Sequence, residues 1–259
     1  MNYNARQNWE IIKQLTITDF KLRYSGSYLG YLWSILKPLA IFAVLYIVFA
    51  KMLRFGADIA NYPTYLLIGI LLWSFFAEVT INGLQSIVSR SHLVKKIYFP
   101  RIIIVLVSSF SALINLFFNF LTLAAFMIYF RVDVLHWQTL LVPVYILELW
   151  LFGFGLSLIL STLYVRFRDC SYIWEIGLQI WFYLTPIIYP ISMVAVNYQE
   201  YILLNPLAQI ISDFRHIFIS FATPNNFFYP YPQIVMVMVI FLIGLFIFQN
   251  SEKSFAEKI

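Results

Sequence analysis

The chain has 259 residues, of which 62% are hydrophobic and only 11% charged, against about 45–50% and about 25% in an ordinary soluble domain. A water-soluble surface cannot be built from that ratio, and the length allows one bundle of apolar helices with short loops, without a separate soluble domain. The net charge of +5 is what basic residues at the ends of membrane spans produce and is no argument for nucleic acid, and the single cysteine, Cys170, excludes an intrachain disulfide or a cysteine-based metal cluster.

Residues 1–30 carry Arg6, Glu10, Lys13, Asp19, Lys21 and Arg23 among apolar residues, unlike the short apolar stretch of a signal peptide. On a helical wheel Trp9, Ile11, Ile12, Leu15, Phe20 and Leu22 gather in one half, and Glu10, Lys13, Gln14 and Lys21 in the other. That pattern predicts an amphipathic helix lying in the membrane interface. Asp19 and Arg23 intrude on its apolar side, so a plain cytoplasmic leader stands as the alternative.

Crossing a bilayer takes about 20 mostly apolar helical residues. Such runs fall at Leu32–Met52, Tyr65–Ile87, Ile102–Phe130, Leu140–Tyr164, Tyr172–Tyr189 and Ile234–Phe248, which predicts an all-α membrane bundle of six spans. With the amino terminus inside, the inner segments hold Arg6, Lys13, Lys21, Arg23, Lys37, Arg90, Lys95, Lys96, Arg101, Arg166, Arg168, Lys253 and Lys258. Only Lys51, Arg54, Arg131 and Arg215 remain outside. The imbalance predicts both termini in the cytoplasm.

Between the fifth and sixth runs the sequence stays apolar but is broken by Pro186, Pro190, Pro206, Pro224, Pro230 and Pro232, six of the ten prolines. Residues 202–222 are apolar enough to enter a membrane, yet Asn205-Pro206 interrupts them and they carry Asp213, Arg215 and His216. Broken helices survive at membrane depth where protein or a water-filled cavity surrounds them. The expectation is short re-entrant helices dipping in from outside; a further pair of spans would put those charges into lipid. The single domain, 1–259, thus divides into the interface helix (1–30), spans one to five (31–189), the re-entrant segment (190–232) and the last span with its tail (233–259).

No catalytic constellation emerges. His92, His136 and His216 are scattered, no H-E-x-x-H or G-x-S-x-G occurs, and the phosphate-binding G-x-x-x-x-G-K-[ST] of an ATPase is missing. If ATP drives this protein, another chain binds it.

Three stretches carry a family resemblance. Asp19-Phe-Lys-Leu-Arg-Tyr24, with Tyr28-Leu-Gly-Tyr-Leu-Trp33 and Lys37-Pro38, resembles the entry to the first span in membrane subunits of type-2 ABC exporters of bacterial surface polysaccharide, such as O-antigen and teichoic acid. Leu93-Val-Lys-Lys-Ile-Tyr-Phe-Pro-Arg101 is similar to that family's inner loop after the second span, and Leu203-Leu-Asn-Pro-Leu207 with Phe214-Arg215 to its signature before the last span. Arg166-Phe-Arg-Asp169 and Thr185-Pro186 also fit. The resemblance implies a subunit of the bacterial inner membrane that pairs with a second copy of itself and with two ABC ATPase subunits, which hold ATP and Mg, and that moves lipid-linked polysaccharide. No cofactor is implied for this chain.

Candidate sites follow. Lys95, Lys96, Ile97, Tyr98, Phe99, Pro100 and Arg101 combine basic, aromatic and helix-stopping residues, suited to a short helix docking in a cleft of the ATPase; setting topology and binding anionic membrane lipids is the alternative. Arg166, Arg168 and Asp169 form a second contact candidate, or a salt bridge within a turn. For the glycan path the candidates are Phe42, Tyr46 and Phe49 on the first span and Trp174 and Trp181 on the fifth, since sugar rings stack their C–H faces on aromatic rings; bundle packing and interfacial belts explain them equally. Glu78 and Asn82, with Gln85, recur on one face of the second span, Asn115 and Asn119 share a face of the third, and Glu148 interrupts the fourth. Turned to lipid, such groups are costly. Lys21, Arg23 and Tyr24 are the candidates for meeting a lipid pyrophosphate, and Asn205, Pro206 and Arg215 for an outer gate or a static plug. A type-2 exporter of drugs or lipids is the second reading. A membrane-embedded glycosyl or acyl transferase is the third, and it lacks an intramembrane acid or histidine cluster.

Overall fold

The computed structural model describes residues 5–54, 59, 61–96, 99–132, 137–219 and 230–255. Ile97 and Tyr98 of the expected coupling loop, and the side chains of Tyr24 and Lys96, lie outside the described residues. Among the described residues all regular structure is helical.

Helix α1 (Ala5–Tyr24) lies against α5 (Ile102–Tyr129). Phe20 anchors it, stacked on Phe118 of α5 and on Tyr31 at centroid distances of 6.0 and 5.0 Å. Helix α2 (Leu32–Leu45) runs on into a π-helical stretch, Tyr46–Met52, and the two make one apolar rod of 21 residues. It is followed by α3 (Tyr62–Ser89), the short α4 (Ser91–Lys96), α5, and α6 (Val142–Arg166), which a 3₁₀ turn, Trp137–Leu141, precedes. With α10 (Pro230–Ser251), five helical segments among the described residues are long and apolar enough to cross a membrane.

The run expected as the fifth span behaves differently. Helix α7 (Cys170–Leu184) has 15 residues, about 22 Å at 1.5 Å per residue and short of the bilayer core. It stops at Leu184 because Pro186 forces Thr185 into the extended conformation, φ −91° and ψ 134°. Two short helices follow, α8 (Val196–Leu203) and α9 (Pro206–Phe218), of 8 and 13 residues. Among the described residues of this segment, neither helix reaches a full span. Asn205 caps α9 by accepting the Leu207 N–H, and Pro206 takes the first helical position, where no N–H is needed.

Helix α3 is the axis. Of its most apolar 18-residue window 78% is buried, against 17% for α2 and 22% for α10. Between helices in lipid there is no hydrophobic gain, so close backbone approach and cross-helix hydrogen bonds hold them together. Gly83 lets Ser157 of α6 approach, and the Ser157 hydroxyl donates to the Val79 carbonyl at 3.0 Å. On the other side of α6, Gly155 meets Gly244 of α10, and a Cβ on Gly155 would stand 2.7 Å from the Phe241 Cα. Phe76 closes the centre, stacked on Phe152 and edge-on to Trp181.

The broken segment is held by side chains at the start of α3 and by one buried arginine. Arg215 of α9 is 1% exposed. Its Nε donates to the Tyr65 carbonyl at 3.0 Å, and its two terminal nitrogens donate to the Pro186 and Ile187 carbonyls at 2.6 and 2.8 Å. Its guanidinium sits 3.5 Å from the Tyr65 ring centroid. The Tyr62 hydroxyl takes the Ile188 carbonyl at 2.7 Å and the Tyr65 hydroxyl the Tyr189 carbonyl at 3.2 Å. Four successive carbonyls that lost their helical partners beyond Thr185 are therefore satisfied from other elements. Gly69 makes room, since a side chain there would run into Arg215.

Arg215→Met leaves the buried Pro186 and Ile187 carbonyls without a donor, at about 1–3 kcal/mol each, and is expected to lower unfolding stability in detergent by at least about 2 kcal/mol. Arg215→Lys recovers only part, because an ammonium cannot present the fork. Thermal unfolding and protease sensitivity of residues 186–205 read both effects, and Gly69→Ala should reproduce them.

Candidate functional site

The end of α1 and the facing sides of α2, α3 and α5 enclose a cavity of about 510 Å³. Four helices supply its polar lining by simple periodicity. Glu78 and Asn82 stand one turn apart on α3, Asn115 and Asn119 one turn apart on α5, and Lys37 one turn after Trp33 on α2. Arg23 reaches in from the last turn of α1. Trp33, Trp73, Pro38, Ile41 and Ile81 form apolar wall between these groups. Facing lipid, the same residues would be expensive. Turned toward one another, they make a polar interior in an apolar bundle.

Glu78 organises the site. Its carboxylate accepts from the Arg23 guanidinium, with side chains 30% and 23% exposed, and from the Asn115 amide at 2.5 Å. The Asn82 amide nitrogen and the Asn119 amide oxygen are buried without a hydrogen-bond partner among the described residues. A donor and an acceptor are thus left uncommitted beside two cations and two indole rings. Such an arrangement suits a ligand with hydroxyls, a negative charge and an apolar ring face. It holds no nucleophile paired with a base, and among the described residues no three His, Cys, Asp or Glu side chains gather as metal ligands.

The structure brings Arg23, expected at the entry, together with Glu78 and Asn82, expected in the channel. Lys21 stays exposed on the other side of α1. The cavity adds Lys37, Trp33, Trp73, Asn115 and Asn119. The Trp33–Lys37 spacing was the available signal on α2. The aromatic candidates do not line it. Phe42 stacks on Tyr46 at 5.6 Å and meets Phe126 of α5 edge-on at 5.2 Å, so that stripe, with Phe49 half-buried beside it, packs α2 on α5. Trp174 donates to the Thr80 hydroxyl at 3.1 Å and Trp181 joins the Phe76–Phe152 cluster, so both pack α7 on α3 and α6. Asn205, Pro206 and Arg215 are the fastening of the broken segment described above.

At the opposite edge from that segment, α4 connects α3 to α5. Val94 is buried among Ile87, Ile104, Val165, Phe248 and Phe255, with Phe99 packed against them, while Lys95 and Pro100 face out and Arg101 stands at the N-cap of α5. Arg166, Arg168 and Asp169 are exposed beside them; Arg168 lies over the Tyr164 ring at 5.2 Å, and Asp169 forms no ion pair with either arginine. The turn salt bridge is therefore not formed. Arg90, which sequence reasoning treated only as a topology signal, ties this edge together. It donates to Asp19 of α1 and to the Ile104 carbonyl at 3.2 Å, and while burial pushes its guanidinium below its ordinary value, Asp19 supplies the compensating charge.

Similar proteins place this architecture. A permease protein of an O-antigen export system, RfbA of Klebsiella pneumoniae, is 32% identical over 260 residues, covering 99% of this chain and 98% of its own length. RfbA of Myxococcus xanthus is 28% identical, covering 96% and 95%. The polysialic acid transport protein KpsM of Escherichia coli is 22% identical, covering 96% and 98%. Residues 10–219 match the family model for the ABC-2 type transporter membrane region. The chain belongs to the ABC-2 type transporter family.

Proposed function

We propose that this chain is the membrane subunit of an ATP-driven exporter of lipid-linked surface polysaccharide. The observation that carries the reading is its end-to-end similarity to O-antigen export permeases; the polar cavity within an apolar bundle agrees with it. Two copies form the path, and two separate ABC subunits bind ATP with Mg; this chain contributes no catalytic site. The bundle sits in the bacterial inner membrane with both termini and the basic edge at the cytoplasm. Helix α7, extended by the Thr185–Tyr189 segment, makes the fifth of six crossings, and α8 and α9 re-enter from the outside. Helix α4 and the Arg166–Asp169 turn dock on the ATPases.

Charge and amides in the cavity favour a glycan lipid over an apolar drug, for which unpaired Asn82 and Asn119 would be a penalty. The glycan is of the O-antigen or polysialic acid type, as in the relatives' names, with lipid-linked teichoic acid as a further candidate.

Reconstitution with the cognate ATPase and a lipid-linked glycan tests the assignment. Glycan-stimulated ATP hydrolysis and glycan release to the far side are expected; stimulation by a lipophilic drug and none by glycan would overturn it. In the same vesicles, replacing Asn82 and Asn119 together by leucine should lower export about tenfold, the equivalent of two hydrogen bonds of modest strength. Lys95→Glu, at the exposed edge of α4, should weaken ATPase binding in a pull-down while leaving the bundle's thermal unfolding within about 0.5 kcal/mol of its starting value.

A further inference from the structure

Among the residues lining the cavity, Glu78 is the one acid, and it faces two cations. Arg23 is bound to it directly, and Lys37 is near enough to act on the same carboxylate. Arginine receives carboxylates and phosphates with the same fork of N–H groups. A carboxylate on an otherwise cationic and amide-lined wall therefore occupies the position that a phosphate oxygen would take. The Arg23 side chain is still 30% exposed and lies on the last turn of α1, a helix at the rim of the bundle. A lipid headgroup arriving along α1 meets it first.

We propose that the cavity binds a phosphate-bearing lipid headgroup and that Glu78 is its built-in competitor, holding Arg23 until the phosphate displaces it. This rests on the exporter reading. A phosphate carries about −1.5 to −2 charges and three strong acceptor oxygens. It outbids a single carboxylate for Arg23 and adds Lys37. The displaced Glu78 keeps the Asn115 amide as a partner, so it is not stranded in the protein interior. Beyond the phosphate, the half-exposed Trp33 offers a ring face to the first sugar. The swap makes the site selective for charge. A neutral lipid alcohol cannot release Arg23 and leaves the ion pair closed.

The test uses the full chain in nanodiscs of neutral lipid, titrated with a short polyprenyl diphosphate, the matching polyprenol, phosphatidylglycerol and inorganic pyrophosphate, and read by tryptophan fluorescence with calorimetry. Wild type should bind the diphosphate lipid and ignore the polyprenol. Glu78→Gln should tighten diphosphate binding about tenfold, and Arg23→Gln should weaken it by at least as much, as expected for charge-assisted bonds. In the Arg23→Gln background, Glu78→Gln should gain less than in wild type, since only Lys37 is left to release. Glu78→Asp draws the charge back by one methylene and should tighten binding by a smaller factor, which serves if the glutamine variant does not fold. Whichever phosphate probe binds most tightly identifies the source of the headgroup. Equal or weaker binding by both Glu78 variants, with wild type binding normally, overturns the competitor role alone. Failure of every phosphate probe on wild type overturns the cavity assignment in the exporter reading as well.

Discussion

Inside a bilayer no water is present to complete a hydrogen bond, so every polar side chain and every interrupted backbone segment must find its partner within the protein. Helix α3 is where this chain meets that demand. At its start Tyr62, Tyr65 and the space at Gly69 receive Arg215 and the carbonyls of residues 186–189. In its middle Glu78 and Asn82 face the cavity, and at its end Arg90 holds Asp19. Its apolar positions are buried by α5 and α6 on the remaining sides. A helix with partners on every side is buried all round, which explains why its sequence shows so little apolar sidedness.

Much of this was legible. The apolar runs place α2, α3, α5, α6 and α10 to within a few residues, because span length is imposed by bilayer thickness rather than by packing detail. The extent of α7 was not, since hydropathy continues smoothly through Thr185 while the backbone rule at Pro186 ends the helix. Periodicity alone left the aromatic stripes open between packing and a path. A helical period reports that a face is shared, and Phe42 and Trp181 share theirs with Phe126 and Phe76 rather than with a cavity. The asparagine pairs carried more information than the rings, because an amide has to be answered by another polar group while a phenyl ring is content with any neighbour.

The two residues that spoiled the amphipathic pattern of α1 were its most informative ones. Asp19 and Arg23 fall on the apolar side of the wheel because that side faces the bundle, where Arg90 and Glu78 wait for them. Opposite charges at i and i+4 on α1 are answered by opposite charges on α3, so the register and direction of α1 on the bundle are set by pairing as well as by Phe20. Swapping the direction would bring like charges together. Imperfect amphipathicity here is the trace of a specific docking, which no count of apolar residues can reveal.

That docking joins the cavity to the edge around α4. Arg90 is followed at once by α4, and its other hydrogen bond goes to the first turn of α5. Asp19 and Arg23 are one helical turn apart, about 6 Å along α1, a single helix of 20 residues. A shift of the α3–α4 junction therefore cannot be felt at Asp19 without also being felt at Arg23, the cation on which the cavity's ion pair depends. The α3–α4 junction is thus joined to the cavity's ion pair by one salt bridge and one turn of helix, a path that bypasses the buried centre around Phe76. Arg23 at the end of α1 and Trp33, Lys37 and Pro38 on the sparsely buried α2 form the outer wall of that cavity, while the rings around Phe76 lie buried behind it.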